Sequence, residues 1–220
     1  MLMAARDDGA PHPWLSSTST KDRTVTKVSL HNAAGSHRHA SLEQYERSHA
    51  DLYTTPADAV QRLYQARPYL RSKVVWDSSA GLGHIVKAIR DMGCEAYGTE
   101  LHDHPFPKVT EIQTGVDLFG VEEAYCDVCV VNPPFNEADR HIRYMTVLGC
   151  EVWALLRFNW ICAKKRDDML HKLREILMVG RVGMLPPGVV DKGMNPSVDF
   201  AWFKFEPGNR FGAGVLVERI

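Results

Sequence analysis

The sequence predicts an α/β fold, a mostly parallel sheet with helices on both faces. Three observations carry this. From Asp51 onward, apolar runs of strand length alternate with amphipathic stretches of helical length. One of those runs, Lys73 to Asp77, ends in an acid and leads through Gly81-Leu82-Gly83 into a helix. Another, Asp127 to Asn132, is continuous and β-branched, as expected for a strand buried on both faces.

The elements follow in order. Residues 1–45 lack hydrophobic period and are rich in Ser, Thr, His, Ala and Gly, so a disordered or weakly ordered tail is expected there. His31, His37 and His39 in that tail have no context for metal ligation. Residues 46–220 are expected to form one domain. Pro56 to Tyr64 fits a helix, with Ala59, Val60, Leu63 and Tyr64 on one side. Lys73 to Asp77 is the first strand, and His84 to Met92 is a helix stopped by Gly93. Glu95 to Glu100 is the second strand, Val109 to Gln113 a weaker third and Asp127 to Asn132 the fourth. Glu137 to Leu148 is helical, with Ile142, Met145 and Leu148 on one face, and Glu151 to Leu156 is the fifth strand. A Lys/Arg-bearing helix is predicted over Lys165–Leu173, then strands over Ile176–Leu185 and Asp199–Phe205.

Composition narrows the function classes. The formal net charge is −1, which rules out a global basic field; any nucleic-acid surface must be local. The five cysteines are odd in number and sit mostly in apolar runs, the pattern of buried free thiols in a reducing compartment. Cys126 and Cys129 form a C-x-x-C, but with no second pair and no His pair nearby no metal is expected. No segment has signal-peptide or membrane-span character, so a cytoplasmic protein without membrane contact is expected.

The glycine turn carries the first chemistry. In Asp77-Ser78-Ser79-Ala80-Gly81-Leu82-Gly83, glycines at a strand's carboxyl end let the backbone turn tightly and approach a ligand. Glu100 ends the next strand, near the ~20-residue spacing of a ribose-binding acid. Val86 occupies the third glycine position of a dinucleotide fingerprint, and no Lys-Ser/Thr follows, which excludes a P-loop. S-adenosylmethionine has no phosphate to cradle. It carries a sulfonium and an ammonium, which suits Asp77 just before the loop. Asp117 is placed to accept a hydrogen bond from an adenine amino group.

Asn132-Pro133-Pro134-Phe135 carries the second. It stands at the carboxyl end of the fourth strand, the edge where open α/β sheets bind ligands. An aromatic exocyclic amine is a poor nucleophile because its lone pair is delocalised. The Asn132 side-chain oxygen and the Pro133 carbonyl can each accept one N–H bond, which favours the tetrahedral nitrogen that attacks. The prolines stiffen the turn and have no N–H to compete. Phe135 offers a face on which an extruded base stacks.

With these residues in place, the chain resembles the amino-methyltransferases of DNA, the Asn/Asp-Pro-Pro-aromatic group with a class I S-adenosylmethionine-dependent methyltransferase fold. Tyr53-Thr54-Thr55-Pro56 precedes the glycine loop as that family's first cofactor motif does, and Asp77 to Gly83, Glu100, Asp117 and Asn132 to Phe135 match its later motifs in order. Leu155 to Trp160 with Lys164 and Arg166, then Asp199 to Phe203, look like the small adenine-methyltransferase-like proteins of phages and prophages. The resemblance covers roughly residues 45–207. It implies a Rossmann-like sheet of seven strands whose final strand is antiparallel, S-adenosylmethionine as cofactor and N6 of adenine in DNA as acceptor. It implies cofactor contacts from Tyr53, Thr55, Pro56, Asp77, Ser78, Ala80, Gly81, Gly83, Glu100 and Asp117. Acceptor contacts are expected from Phe135, Arg157, Trp160, Lys164, Arg166 and Trp202.

Two features depart from that pattern. Ser78 stands where such relatives often have proline. No target-recognition domain is recognisable, so selectivity is expected from loops or from a partner subunit. The segment 161–192, with seven basic residues against four acidic ones, is the expected phosphate-contacting loop. The same tetrapeptide chemistry also serves guanine N2 in RNA, cytosine N4 and a protein glutamine, and a non-catalytic subunit of the same fold is the remaining alternative.

Overall fold

A computed structural model describes residues 52–184, 187, 198–208 and 214–220. The expected tail over 1–45 lies outside them. The sheet has eight strands: β1 Val75–Asp77, β2 Ala96–Glu100, β3 Gln113–Thr114, β4 Val128–Val131, β5 Glu151–Arg157, β6 Leu173–Arg181, β7 Asp199–Phe205 and β8 Leu216–Arg219. Their order is β3-β2-β1-β4-β5-β7-β6-β8. Pairing is parallel from β3 through β5, whereas β7 runs antiparallel between β5 and β6.

One sequence expectation on the sheet needs correction: there are eight strands among the described residues, not seven. The expected final strand, Asp199–Phe205, is antiparallel to both its neighbours, but β8 follows it and pairs parallel to β6 through Glu175↔Leu216 to Met178↔Arg219. All four residues of β8 are exposed, so that strand has no inward–outward alternation to reveal it.

Alternate residues of β4 feed two separate cores. Val128 and Val130 pack with helices α1 (Ala57–Ala66) and α2 (His84–Asp91), while Cys129 and Val131 pack with α3 (Ala138–Val147). That double burial is why the run is apolar at every position. Helix α1 buries Ala59, Val60, Leu63 and Tyr64, the face the sequence pattern marks. Helix α3 buries Ile142 and Met145.

The helix predicted over Lys165–Leu173 does not form. The 3₁₀ segment Lys164–Met169 takes its place, following another over Phe158–Cys162, and β6 begins at Leu173. Arg166 and Lys165 both bind Asp139 on α3, at 2.7 and 3.0 Å, which holds the segment against that helix.

Strand order reverses beside β1: β2 and β3 extend to one side, β4 and β5 to the other. The crevice at such a reversal, outside the strands' carboxyl ends, is where open α/β sheets bind ligands. Asp77 ends β1 and Asn132 directly follows β4, so both stand at it. No helix among the described residues is long and apolar enough to cross a membrane.

Candidate active site

The glycine loop is shaped by two close approaches. Gly83 has φ 88°, a left-handed conformation that L side chains rarely adopt, and it leads directly into α2. A Cβ on Gly98, in β2, would lie 2.8 Å from the Ala80 Cβ and 2.9 Å from Val86 Cγ2. Glycine there lets the loop close onto the strand, and the Ala80 N–H reaches the Thr99 carbonyl at 3.0 Å. Gly98 is a loop-shaping position that the motif does not contain.

Three acids converge on this loop. Glu100 accepts from the Gly81 N–H at 2.8 Å and, through its other oxygen, from the His102 N–H at 3.0 Å. His104 Nε2 lies 3.6 Å from the same carboxylate. Burial holds the His104 imidazole below its usual range against the pull of Glu100. Asp77 is fully buried; desolvation pushes its carboxyl up to about 8, opposed by the Ser79 N–H and aided by the charge of Glu100. Asp117 accepts from the Phe119 N–H at 2.9 Å and caps a 3₁₀ turn over Leu118–Gly120.

These residues line a cavity of about 490 Å³ together with Tyr53, Thr55, Asn132 and Pro134. Its wall includes positions that the sequence reading passes over: His102, His104, Arg140 and His141. The Arg140 guanidinium sits 3.5 Å above the Phe119 ring, and His141 meets the same ring edge-on at 5.2 Å. Arg140 and His141 lie on the first turns of α3, just after the tetrapeptide, which is the one sequence cue that could have found them. The two histidines after β2 belong to no motif.

The tetrapeptide stands between this cavity and a second. The Asn132 Nδ2 donates to Thr55 Oγ1 at 3.1 Å and approaches Met184 Sδ at 3.6 Å. Its Oδ1 is buried and has no partner among the described residues. The second cavity, about 320 Å³, is lined by Tyr53, Phe135, Arg157, Asn159, Trp160 and Arg166, among others. Tyr53 and Asn136 border both cavities. The Phe135 ring lies 5.3 Å from Tyr53 and 6.4 Å from Phe200, and the Arg157 guanidinium is 5.1 Å from its centroid. The result is an aromatic wall with a cation beside it, a surface that suits a flat π-system.

Several expected site residues sit elsewhere. Trp202 is fully buried, and its indole N–H donates to the Ala59 carbonyl at 3.0 Å; it is core, not pocket wall. Ser78 does line the larger cavity, but its hydroxyl donates to Met145 Sδ at 3.2 Å, which ties it to α3. Pro56 stands at the start of α1, Pro133 is buried, Lys164 is exposed, and none of the three lines either cavity. Arg166 lines the second cavity, but its guanidinium lies over Trp160 at 4.3 Å and binds Asp139 and the Trp160 carbonyl. Lys165 and Arg174 are likewise paired, with Asp139 and Glu206. The basic excess of segment 161–192 is thus smaller in the fold than in the sequence. Residues 185, 186 and 188–192 of that segment lie outside the described residues.

No family model matches the chain, and no curated protein does. Solved structures do match. A candidate RNA methyltransferase of Pyrococcus horikoshii aligns with a TM-score of 0.52 at 16% identity, over 70% of this chain and 86% of that one. A Thermoplasma acidophilum protein aligns with a TM-score of 0.52 at 11% identity, over 69% and 84%. A candidate class I S-adenosylmethionine-dependent methyltransferase of Listeria monocytogenes gives 0.50 at 11%, over 76% and 65%. At these identities the likeness concerns the fold. Together with the strand order and the glycine loop between β1 and α2, it makes this a chain with the fold of the class I S-adenosylmethionine-dependent methyltransferases.

Proposed function

We infer that the chain transfers a methyl group from S-adenosylmethionine to an exocyclic amino nitrogen, with N6 of adenine in DNA as the acceptor. The observation that carries this reading is the Asn132 Oδ1: a buried acceptor without a partner among the described residues, where two cavities share a wall. A buried unpaired acceptor is costly and marks a place where a ligand's donor belongs.

The larger cavity fits the cofactor by its donor set. Glu100 is held at the loop with lone pairs left over for a ribose's hydroxyls. Asp77 supplies a carboxyl for the cationic amino-acid end, and Asp117 one for the adenine amino group. When bound, S-adenosylmethionine supplies a methyl group activated on a sulfonium.

On the other side, Asn132 Oδ1 accepts an amino hydrogen and favours the tetrahedral nitrogen. Thr55 fixes the amide so that its oxygen, not its nitrogen, faces the acceptor. Phe135, Tyr53 and Arg157 hold the flat ring of a base taken out of its stack. The proton leaves after methyl transfer, so no strong base is required. Tyr53-Thr54-Thr55-Pro56 upstream of the glycine loop favours DNA as the acceptor. Target selectivity then comes from loops or from a partner subunit.

The test is incubation of purified protein with labelled S-adenosylmethionine and DNA, followed by mass spectrometry of the nucleosides. N6-methyladenine is expected. N2-methylguanosine in RNA, with no methyladenine in DNA, would move the reading to RNA; N4-methylcytosine would move it to the pyrimidine. Absence of label on any nucleic acid or protein would point to a non-catalytic subunit.

A further inference from the structure

The structure brings together three thiols that are separated in the sequence. Cys126 precedes β4, Cys129 lies within it, and Cys150 immediately precedes β5, the parallel neighbour of β4. Their sulfurs all lie within 4.8 Å of one another. The Cys126 sulfur is 3.9 Å from that of Cys129 and 3.7 Å from that of Cys150.

These separations are too long for a disulfide, which needs about 2.05 Å. They match a shared ion: two sulfurs bound tetrahedrally at about 2.3 Å from zinc stand about 3.8 Å apart. Two of the three thiols are buried and Cys126 is half-buried, so the cluster has a protected interior and an approach from solvent. The Tyr97 hydroxyl also bonds Cys126. An all-sulfur protein donor set selects a soft, thiophilic cation over magnesium or calcium.

We propose that Cys126, Cys129 and Cys150 bind one thiophilic metal ion of the zinc and cadmium class, with solvent or Tyr97 completing its shell. Binding exchanges the three S–H bonds for metal–sulfur bonds and releases those protons to solvent. The site lies at the amino ends of β4 and β5. Asn132 is three residues, about 10 Å of strand, beyond Cys129. The ion therefore clamps the chain entering β4 to the start of β5 and takes no part in methyl transfer.

The experiment uses the reduced, metal-free full chain titrated with cadmium, followed by thiolate-to-cadmium charge-transfer absorption. The expected result is saturation at one equivalent, a higher thermal midpoint, and protection of these three cysteines from alkylation while Cys162 still reacts. Cys126→Ser, at the half-buried position, should weaken binding by at least roughly tenfold, and Cys94→Ser should leave it unchanged. Alkylation mapping on the unaltered chain needs no variant, so the test survives misfolding of one. No saturable one-equivalent signal, equal binding by Cys126→Ser, or no protection of the three thiols would overturn the proposal.

Discussion

The Asn132 amide nitrogen donates to the Thr55 hydroxyl at 3.1 Å, and this bond determines which end of the amide is left for a ligand. The oxygen stays buried and unpaired among the described residues. Removing the amide with Asn132→Ala should lower kcat by at least ~10²-fold, the usual loss of one preorganised polar group in a reaction centre. S-adenosylmethionine affinity, read by calorimetry, should change little. Thr55→Val keeps the shape and deletes the hydroxyl. It should cut kcat by about tenfold at unchanged cofactor affinity. Full activity in Asn132→Ala would refute the assigned role.

Asp77 makes stability depend on pH in an unusual direction for a carboxylate. Its ordinary value is 3.8 and burial pushes it to about 8. Between those values the folded chain keeps a proton that the unfolded chain has released. The contribution of Asp77 is therefore greatest below about pH 4 and declines as pH rises to about 8, then levels. Asp77→Asn, which cannot ionise, should gain stability relative to the natural chain across that window. Urea denaturation of both proteins at several pH values measures the difference; a constant offset would contradict the assignment.

The same buried carboxyl predicts a proton signature for cofactor binding. A cationic ligand beside Asp77 favours its ionised form, so binding at neutral pH should release a proton. Calorimetry in two buffers of different ionisation enthalpy reads the number released. Asp77→Asn should abolish the buffer dependence.

Gly98 has no role in any motif, yet it sits where the loop meets β2. Gly98→Ala would bring its Cβ within 2.8 Å of Ala80 and 2.9 Å of Val86. The expected loss is about 1–3 kcal/mol of stability, with weaker cofactor binding, because Ala80 and its loop must shift. Thermal melting with and without S-adenosylmethionine tests both parts.

Trp202 supplies the converse. It lines neither cavity, and its indole N–H holds the Ala59 carbonyl of α1. Trp202→Phe should cost about 1 kcal/mol or more in unfolding free energy and leave kcat per folded molecule unchanged. A selective loss of acceptor affinity would return it to the pocket.

How much of this was legible beforehand depends on local period. Val128 to Val131 reads as a buried strand because each residue enters one of two cores. Strand β6 starts three residues before the expected Ile176, because register shifts at Leu173/Glu175 and Met178/Gly180 break its alternation. The helix expected over Lys165–Leu173 gives way to 3₁₀ structure over Lys164–Met169, held against α3 by ion pairs to Asp139. The glycine loop, Glu100 and the tetrapeptide are contiguous motifs and could be read directly. His102 and His104 could not, since only the folded loop brings them to the cavity, nor could Gly98, whose part is its close approach to Ala80. Cys150, 24 residues from Cys126, joins its partners only through the pairing of β4 with β5.

Tyr53 and Asn136 border both cavities, so the spaces on either side of the tetrapeptide adjoin. On the proposed reading, one molecule should be able to occupy both. An adenosine unit joined by a short tether to a second purine would act as a bisubstrate inhibitor, since seating one half fixes the effective concentration of the other. Its affinity should exceed that of either half by about 10²–10⁴ when the tether matches the span, and tethers too short to cross from one side to the other should forfeit the whole gain.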